Sequence, residues 1–281
     1  MTRAKGTGEA TTRTRVRRAA IGIALVAVTV GLFPAPAQAQ SSNFHLTCGF
    51  SHQAPDDPIV FPGEPGASHL HQFFGNRSTD AHSTFRSMRR AGTACGAKAD
   101  RSGYWTPALI APNGNVVQPV SVAAYYQAGE LRGRIHPYPR NLRIIAGGDT
   151  NNLSIAGYNC GEGLPESSRP LDCGQNWLKA VIVFPACWDG RRTDSPNHRS
   201  HMTYLTGRGC PNSHPVRVPK LVMHVRYPVH DATGYTLASD PMMNMHHGMS
   251  LHADFWNIWN ARFLTRTVDR CLNARIECDL D

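Results

Sequence analysis

Leu178-Lys179-Ala180-Val181-Ile182-Val183-Phe184 runs straight into Pro185. Seven residues rich in β-branched and apolar side chains, stopped by a proline, read as a buried strand rather than a helix. Three further runs have the same character: Val116 to Tyr126, Leu142 to Ile145, and Val216 to Val225. Pro119 and Pro219 lack the N–H a ladder needs, so each demotes its run to an edge or a break. With 20 Pro and 25 Gly spread along 281 residues, the elements should be short and the loops many. Asp254 to Leu272 is free of both breakers, and Phe255, Ile258, Trp259, Phe263 and Val268 recur at roughly helical spacing. The expected fold is β-rich (mainly β, or α+β): a single-domain sandwich or distorted barrel with this C-terminal helix packed on it.

The N-terminus predicts export. Arg3, Lys5, Arg13, Arg15, Arg17 and Arg18 form a basic region, Ala19 to Phe33 is uncharged and apolar, and Ala37-Gln38-Ala39 offers a cleavage site. Residues 1–39 are therefore expected to be a secretory signal, with 40–281 as one globular domain starting at Gln40. Arg17-Arg18 leaves twin-arginine export open beside the ordinary route. The apolar run is too short for a comfortable span, and no later segment is long and apolar enough for a membrane. The leader holds six of the 29 Lys+Arg and one of the 20 Asp+Glu, so the mature chain keeps 23 bases and 19 acids, a net of +4. A charge balance that slight predicts no nucleic-acid partner.

All eight cysteines follow the leader: Cys48, Cys95, Cys160, Cys173, Cys187, Cys210, Cys271 and Cys278. An even set in an exported chain reads as disulfides, and the absence of any Cys-x-x-Cys pair speaks against zinc. Short separations close at little entropic cost, which favours Cys160–Cys173 and Cys271–Cys278. Elimination then leaves Cys48–Cys95 and Cys187–Cys210.

Fourteen histidines are present, and they cluster. His69-Leu70-His71 on a strand would set both imidazoles on one face, suited to one metal. Asp194-Ser195-Pro196-Asn197-His198-Arg199-Ser200-His201 concentrates acid, imidazole and hydroxyl groups. Asp189-Gly190 after Cys187-Trp188 reads as a turn first and a catalytic acid second. His252-Ala253-Asp254 would open the expected helix, with Asp254 as its N-cap. There is no Gly-x-Ser-x-Gly, no His-Glu-x-x-His and no phosphate-binding Gly-rich loop, which takes weight from esterase, zincin and nucleotide-hydrolase readings.

These groups, taken in order, resemble a secreted bacterial and fungal family, the domain-of-unknown-function family nineteen ninety-six. The resemblance runs through Asp57-Pro58-Ile59-Val60, His69-Leu70-His71-Gln72, Tyr104-Trp105 and Phe184-Pro185. It continues through Cys187-Trp188-Asp189-Gly190, Asp194-Ser195-Pro196 with His198 and Ser200-His201, then Cys210-Pro211 and His214-Pro215-Val216. It closes on His252-Ala253-Asp254-Phe255 and Trp259. It implies which positions recur together and carries no reaction.

The functional expectation from the residues is an extracellular hydrolase acting on a cell-wall or biomass polysaccharide. Asp189, Asp194, His198, His201, His252 and Asp254 are its candidate catalytic groups, and Asp189 with Asp194 the first acid/base pair. Tyr104, Trp105 and Trp188 could stack on sugar rings. The rival reading is a divalent metal held by His69, His71, His201 and His252. A third is a non-catalytic wall-binding or structural protein. A shared pocket of His71, His201, His252 and Asp254, rimmed by Asp189 and Asp194, is the geometric expectation.

Overall fold

The computed structural model describes residues 42–129 and 133–281. The expected leader and the expected start at Gln40 lie outside them. Among the described residues, ten strands form one sheet. Its order is Arg143–Gly147, His252–Trp256, Gly103–Pro107, His71–Gly75, Asn43–Ala54, Ser121–Gln127, Lys220–Arg226, Lys179–Val183 and Ala156–Asn159. Neighbours along this path are antiparallel, and the short Cys278–Asp279 strand joins Asn43–Ala54 in parallel.

The twelve-residue strand Asn43–Ala54 makes the corner of the fold. Residues 43–49 pair with strand 121–127, whereas Phe50 and residues 52–54 pair with strand 71–75. The register slips between Phe50 and His52. A bulge at that point sharpens the local twist and lets one strand serve two differently oriented halves of the sheet. The whole curls into a nearly closed barrel.

Alternation fills it. Val122, Ala124 and Tyr126 of strand 121–127 point inward with Phe44, Leu46, Phe74, Tyr104, Leu221, Met223 and Phe255. A second cluster of Ile59, Phe73, Met88, Trp105, Ile145, Trp256 and Ile258 covers the other face of the half-sheet that carries strands 71–75, 103–107 and 252–256. These three strands are buried on both faces.

The proline breaks fall where expected. Val116–Val117 and Ser121–Gln127 are separate strands around Pro119, and Val216–Arg217 and Lys220–Arg226 are separate around Pro219. The C-terminal helix needs correction at its start. It spans Ala261–Thr267, capped by the Asn260 side chain, and continues as a π-helical turn to Asn273. His252–Trp256 is a strand, so Asp254 caps no helix. Phe255, Ile258 and Trp259 do recur at helical spacing, but the strand is covered on both faces and shows no alternation to betray it. Four disulfides bridge Cys48–Cys95, Cys160–Cys173, Cys187–Cys210 and Cys271–Cys278, the expected pairs.

A candidate metal centre on the outer face of the sheet

Strand register assembles the site. Strand 103–107 lies between strands 71–75 and 252–256, with His71 opposite Pro107, Phe73 opposite Trp105, and Asp254 opposite Trp105 from the other side. Opposed residues and those two apart share a face. His71, Phe73, Trp105, His252 and Asp254 therefore share one face, and Phe74, Tyr104 and Phe255 share the interior. Pro107 has no N–H to donate, and the pairing with strand 252–256 ends at Asp254, short of His252. Gly147, opposite His252, sits at φ 77°, and a Cβ there would lie 2.6 Å from the Leu251 carbonyl oxygen. Glycine lets this strand end close against strand 252–256.

Three imidazoles converge. His69, His71 and His252 each offer a ring nitrogen, and these lie within 4.8 Å of one another. His71 Nδ1 donates to the Asp56 carbonyl at 2.9 Å, and His252 Nδ1 donates to the Ser250 carbonyl at 2.8 Å. Each carbonyl fixes its ring's proton on Nδ1, so both Nε2 atoms carry bare lone pairs. Those two Nε2 atoms face each other at 3.4 Å. Two acceptors in that arrangement repel unless a cation lies between them. Both ring nitrogens of His69 are buried without a hydrogen-bond partner.

Two carboxylates complete the cluster. Asp57, His71 and Asp254 form a second set whose ligand atoms lie within 4.8 Å of one another. Asp254 is fully buried, and neither of its oxygens has a partner. Asp57 is tied down through Oδ1, which accepts from the Ile59 and Val60 amides. Burial, then the neighbouring Asp57, holds the Asp254 carboxyl well above the usual carboxylate range. Burial likewise raises Asp57. The imidazoles move oppositely: burial lowers His69 to about 4 and, with His69 beside it, His252 to about 3. His71 is depressed by burial and then by both neighbours. Burial thus disfavours the charged form of each of these groups, and a divalent ion would satisfy their orphaned lone pairs.

A cleft of about 310 Å³ opens onto the cluster, lined among others by Asp57, His69, His198, Arg199, His252 and Asp254. His198 stands at its edge with a left-handed backbone, φ 56°. Its Nδ1 bonds Asp194 Oδ1 at 3.0 Å, and Asp194 Oδ2 accepts from Arg143 at 3.1 Å. The chain thus places His69, His198, His252 and Asp254 around one cleft, with His71 buried behind His69 and His252 and Asp194 reaching the cleft through His198. His201 and Asp189 are engaged elsewhere. His201 Nδ1 meets Ser195 Oγ at 2.9 Å and Nε2 meets the Arg143 carbonyl at 2.7 Å, which occupies both nitrogens. Asp189 accepts from the Arg191 and Arg192 amides and from Arg192 Nε at 2.8 Å, the turn chemistry its Asp-Gly pair suggests. Sequence reasoning did not single out Asp57 as a site residue, because Asp-Pro reads as a turn.

A disulfide-bonded, mainly β protein with a buried histidine–carboxylate cluster is the class that this fold and site define. Residues 57–259 match the family described as Domain of unknown function (DUF1996), and the chain belongs to it. That span takes in every residue of the cluster. No curated protein and no solved structure matches the chain. Among the described residues, no helix is long and apolar enough to cross a membrane.

Proposed function

We propose that the chain is a secreted metalloprotein whose His69–His71–His252 centre holds a first-row divalent ion and works as an extracellular hydrolase. One observation carries this reading: two buried Nε2 lone pairs, each with its tautomer fixed by a backbone carbonyl, oppose each other at 3.4 Å. Hydrogen bonding alone leaves that pair unsatisfied, whereas a cation bound by both, with His69 as third ligand, satisfies it. Three histidines with access from a cleft leave a coordination position for water, the pattern of catalytic rather than structural sites. An ion bound there lowers the pKa of its water toward neutrality. Asp254 and Asp57 stand ready to accept the proton, because the ion's charge reverses the upward push that burial exerts on them. His198, oriented by Asp194, presents its free Nε2 at the cleft as a second proton carrier.

Polysaccharide is the substrate class that fits an exported, disulfide-bonded hydrolase. Asp189 and Asp194 are weaker candidates for a metal-free carboxylate pair, since each is held by an arginine. Cobalt(II) titration tests the centre directly. Saturable d–d absorption of a four- or five-coordinate nitrogen/oxygen site, absent in His71→Ala, is the expected result. Spectra identical to aqueous cobalt(II) would overturn the reading.

A further inference from the structure

Seven cations share a second cleft that the metal centre does not use. Arg89 and Arg90 close the last turn of helix Phe85–Arg90. Arg262 and Arg266 lie one turn apart on helix Ala261–Thr267. Lys98, Arg101 and Arg140 fill the space between, and all seven line one open cleft of about 810 Å³. Among the described residues no carboxylate lines it. Among the described residues none of the seven takes part in a salt bridge. Like charges at helical spacing of four repel, so Arg262 and Arg266 weaken their own helix. Lys98 and Arg101 donate to the Cys95 and Arg89 carbonyls, but Arg89, Arg90, Arg262 and Arg266 make no such bond among the described residues, and an anionic ligand would account for them.

The floor of the cleft narrows the ligand class. Arg140 lies over the Phe85 ring at 5.3 Å. Trp259 stacks on Phe263 with centroids 5.9 Å apart and donates its N–H to Tyr126. Arg140 and Trp259 each occupy one of these aromatic faces, which limits the platform that unstacked bases of single-stranded nucleic acids require. What remains exposed is guanidinium, six of the seven cations being arginine. Its planar fork pairs with carboxylate in a bidentate way. Four disulfides place the chain in an oxidising compartment. Acidic glycans are polyanions that present such carboxylates in series.

We infer that this cleft binds an acidic polysaccharide through the carboxylates of successive uronate residues. It shares no lining residue with the histidine cleft, so the inference stands whether or not that centre binds metal. The slight net charge of the mature chain concealed the patch, because the bases are gathered by the fold and not by the sequence.

Binding of fluorescently labelled polygalacturonate to the full secreted protein tests it. Wild type should saturate at low salt and weaken steeply as salt rises. Arg89→Gln with Arg90→Gln, and Arg262→Gln with Arg266→Gln, remove exposed side chains that make no hydrogen bond within the fold. Each double variant should bind several-fold more weakly, and the quadruple variant about tenfold or more. Thermal unfolding of each double variant should match or exceed wild type, since repulsion is relieved. If one pair compromises folding, the other still decides. His71→Ala should bind polygalacturonate as wild type does. Three outcomes overturn the inference: no saturable binding at low salt, binding by both double variants as tight as that of wild type, or tighter binding of a single-stranded oligonucleotide of matched charge.

Discussion

Asp254→Asn separates metal binding from folding. The carboxyl is fully buried, its oxygens are orphaned, and burial, then the neighbouring Asp57, pushes it well above the usual carboxylate range, which favours its protonated form in the metal-free protein. A neutral amide of the same shape should therefore change the stability of the metal-free protein by no more than about 1 kcal/mol. With metal the position matters far more. Unit charges about 4 Å apart at an effective dielectric of about 20 interact by about 4 kcal/mol, and a divalent ion doubles that. After the cost of removing the proton, a loss of about 100-fold in metal affinity is expected, or about 2.7 kcal/mol. Zinc at about 100 times the wild-type Kd stabilises wild type by about 2.7 kcal/mol and the variant by about 0.4 kcal/mol. For a domain of this size, that is a rise in Tm of about 5–11 °C against about 1 °C. Differential scanning of chelator-stripped protein, with and without zinc, reads both numbers. A variant that kept the wild-type rise, or one whose metal-free form collapsed, would refute the reasoning.

Three other outcomes follow from the same geometry. His201→Ala should leave metal uptake unchanged but strip partners from Ser195 and from the Arg143 carbonyl; a lower urea midpoint worth about 2–4 kcal/mol is expected. Metal-free protein should lose stability as pH falls from about 6.5 toward 4. His69 and His224 are lowered to about 4 and His252 to about 3, mainly by burial. The unfolded chain takes up protons in that window while the folded chain does not, at about 1.4 kcal/mol per unit of depression for each group. Asp254 works the other way, its share being present at low pH and lost as pH rises through its elevated folded value. Urea titration across pH should show the histidine slope, and a flat profile below 6.5 would count against neutral buried imidazoles. Gly147→Ala, strained at positive φ and crowded by Leu251, should displace His252 and weaken metal affinity by about 10-fold or more; isothermal titration checks it.

Much of the β framework could be read from the chain because its central strands are apolar, β-branched and punctuated by proline. Strand 179–183 and the breaks at Pro119 and Pro219 follow from that chemistry alone. Two of the disulfides were legible as short-range pairs; the four remaining cysteines admit three pairings, and the fold selects Cys48–Cys95 and Cys187–Cys210. Strands 43–54 and 252–256 were not. The first does carry the period-two alternation of a strand, Asn43, His45 and Thr47 against Phe44, Leu46 and Cys48, but in a run poor in β-branched residues, and the second is buried on both sides and borrows a helical spacing from the residues after it. The site was half legible. His69, His71 and His252 stand out as residue types in clusters, but only register across strand 103–107 brings positions 71 and 252 together. Asp57 and His201 mark the limit. A carboxylate ahead of a proline and a histidine in a polar loop look alike in sequence, and only their hydrogen bonds tell cluster member from scaffold.

The measurement that bears most directly on the central claim is the metal content of protein purified without chelator or affinity metal. One first-row transition ion per chain in wild type, and none in His71→Ala or His252→Ala of equal purity, is the predicted result. A wild-type protein that carries no such ion and takes up none on dialysis against zinc, copper, cobalt, nickel or manganese would contradict it. So would a His71→Ala protein that kept its metal.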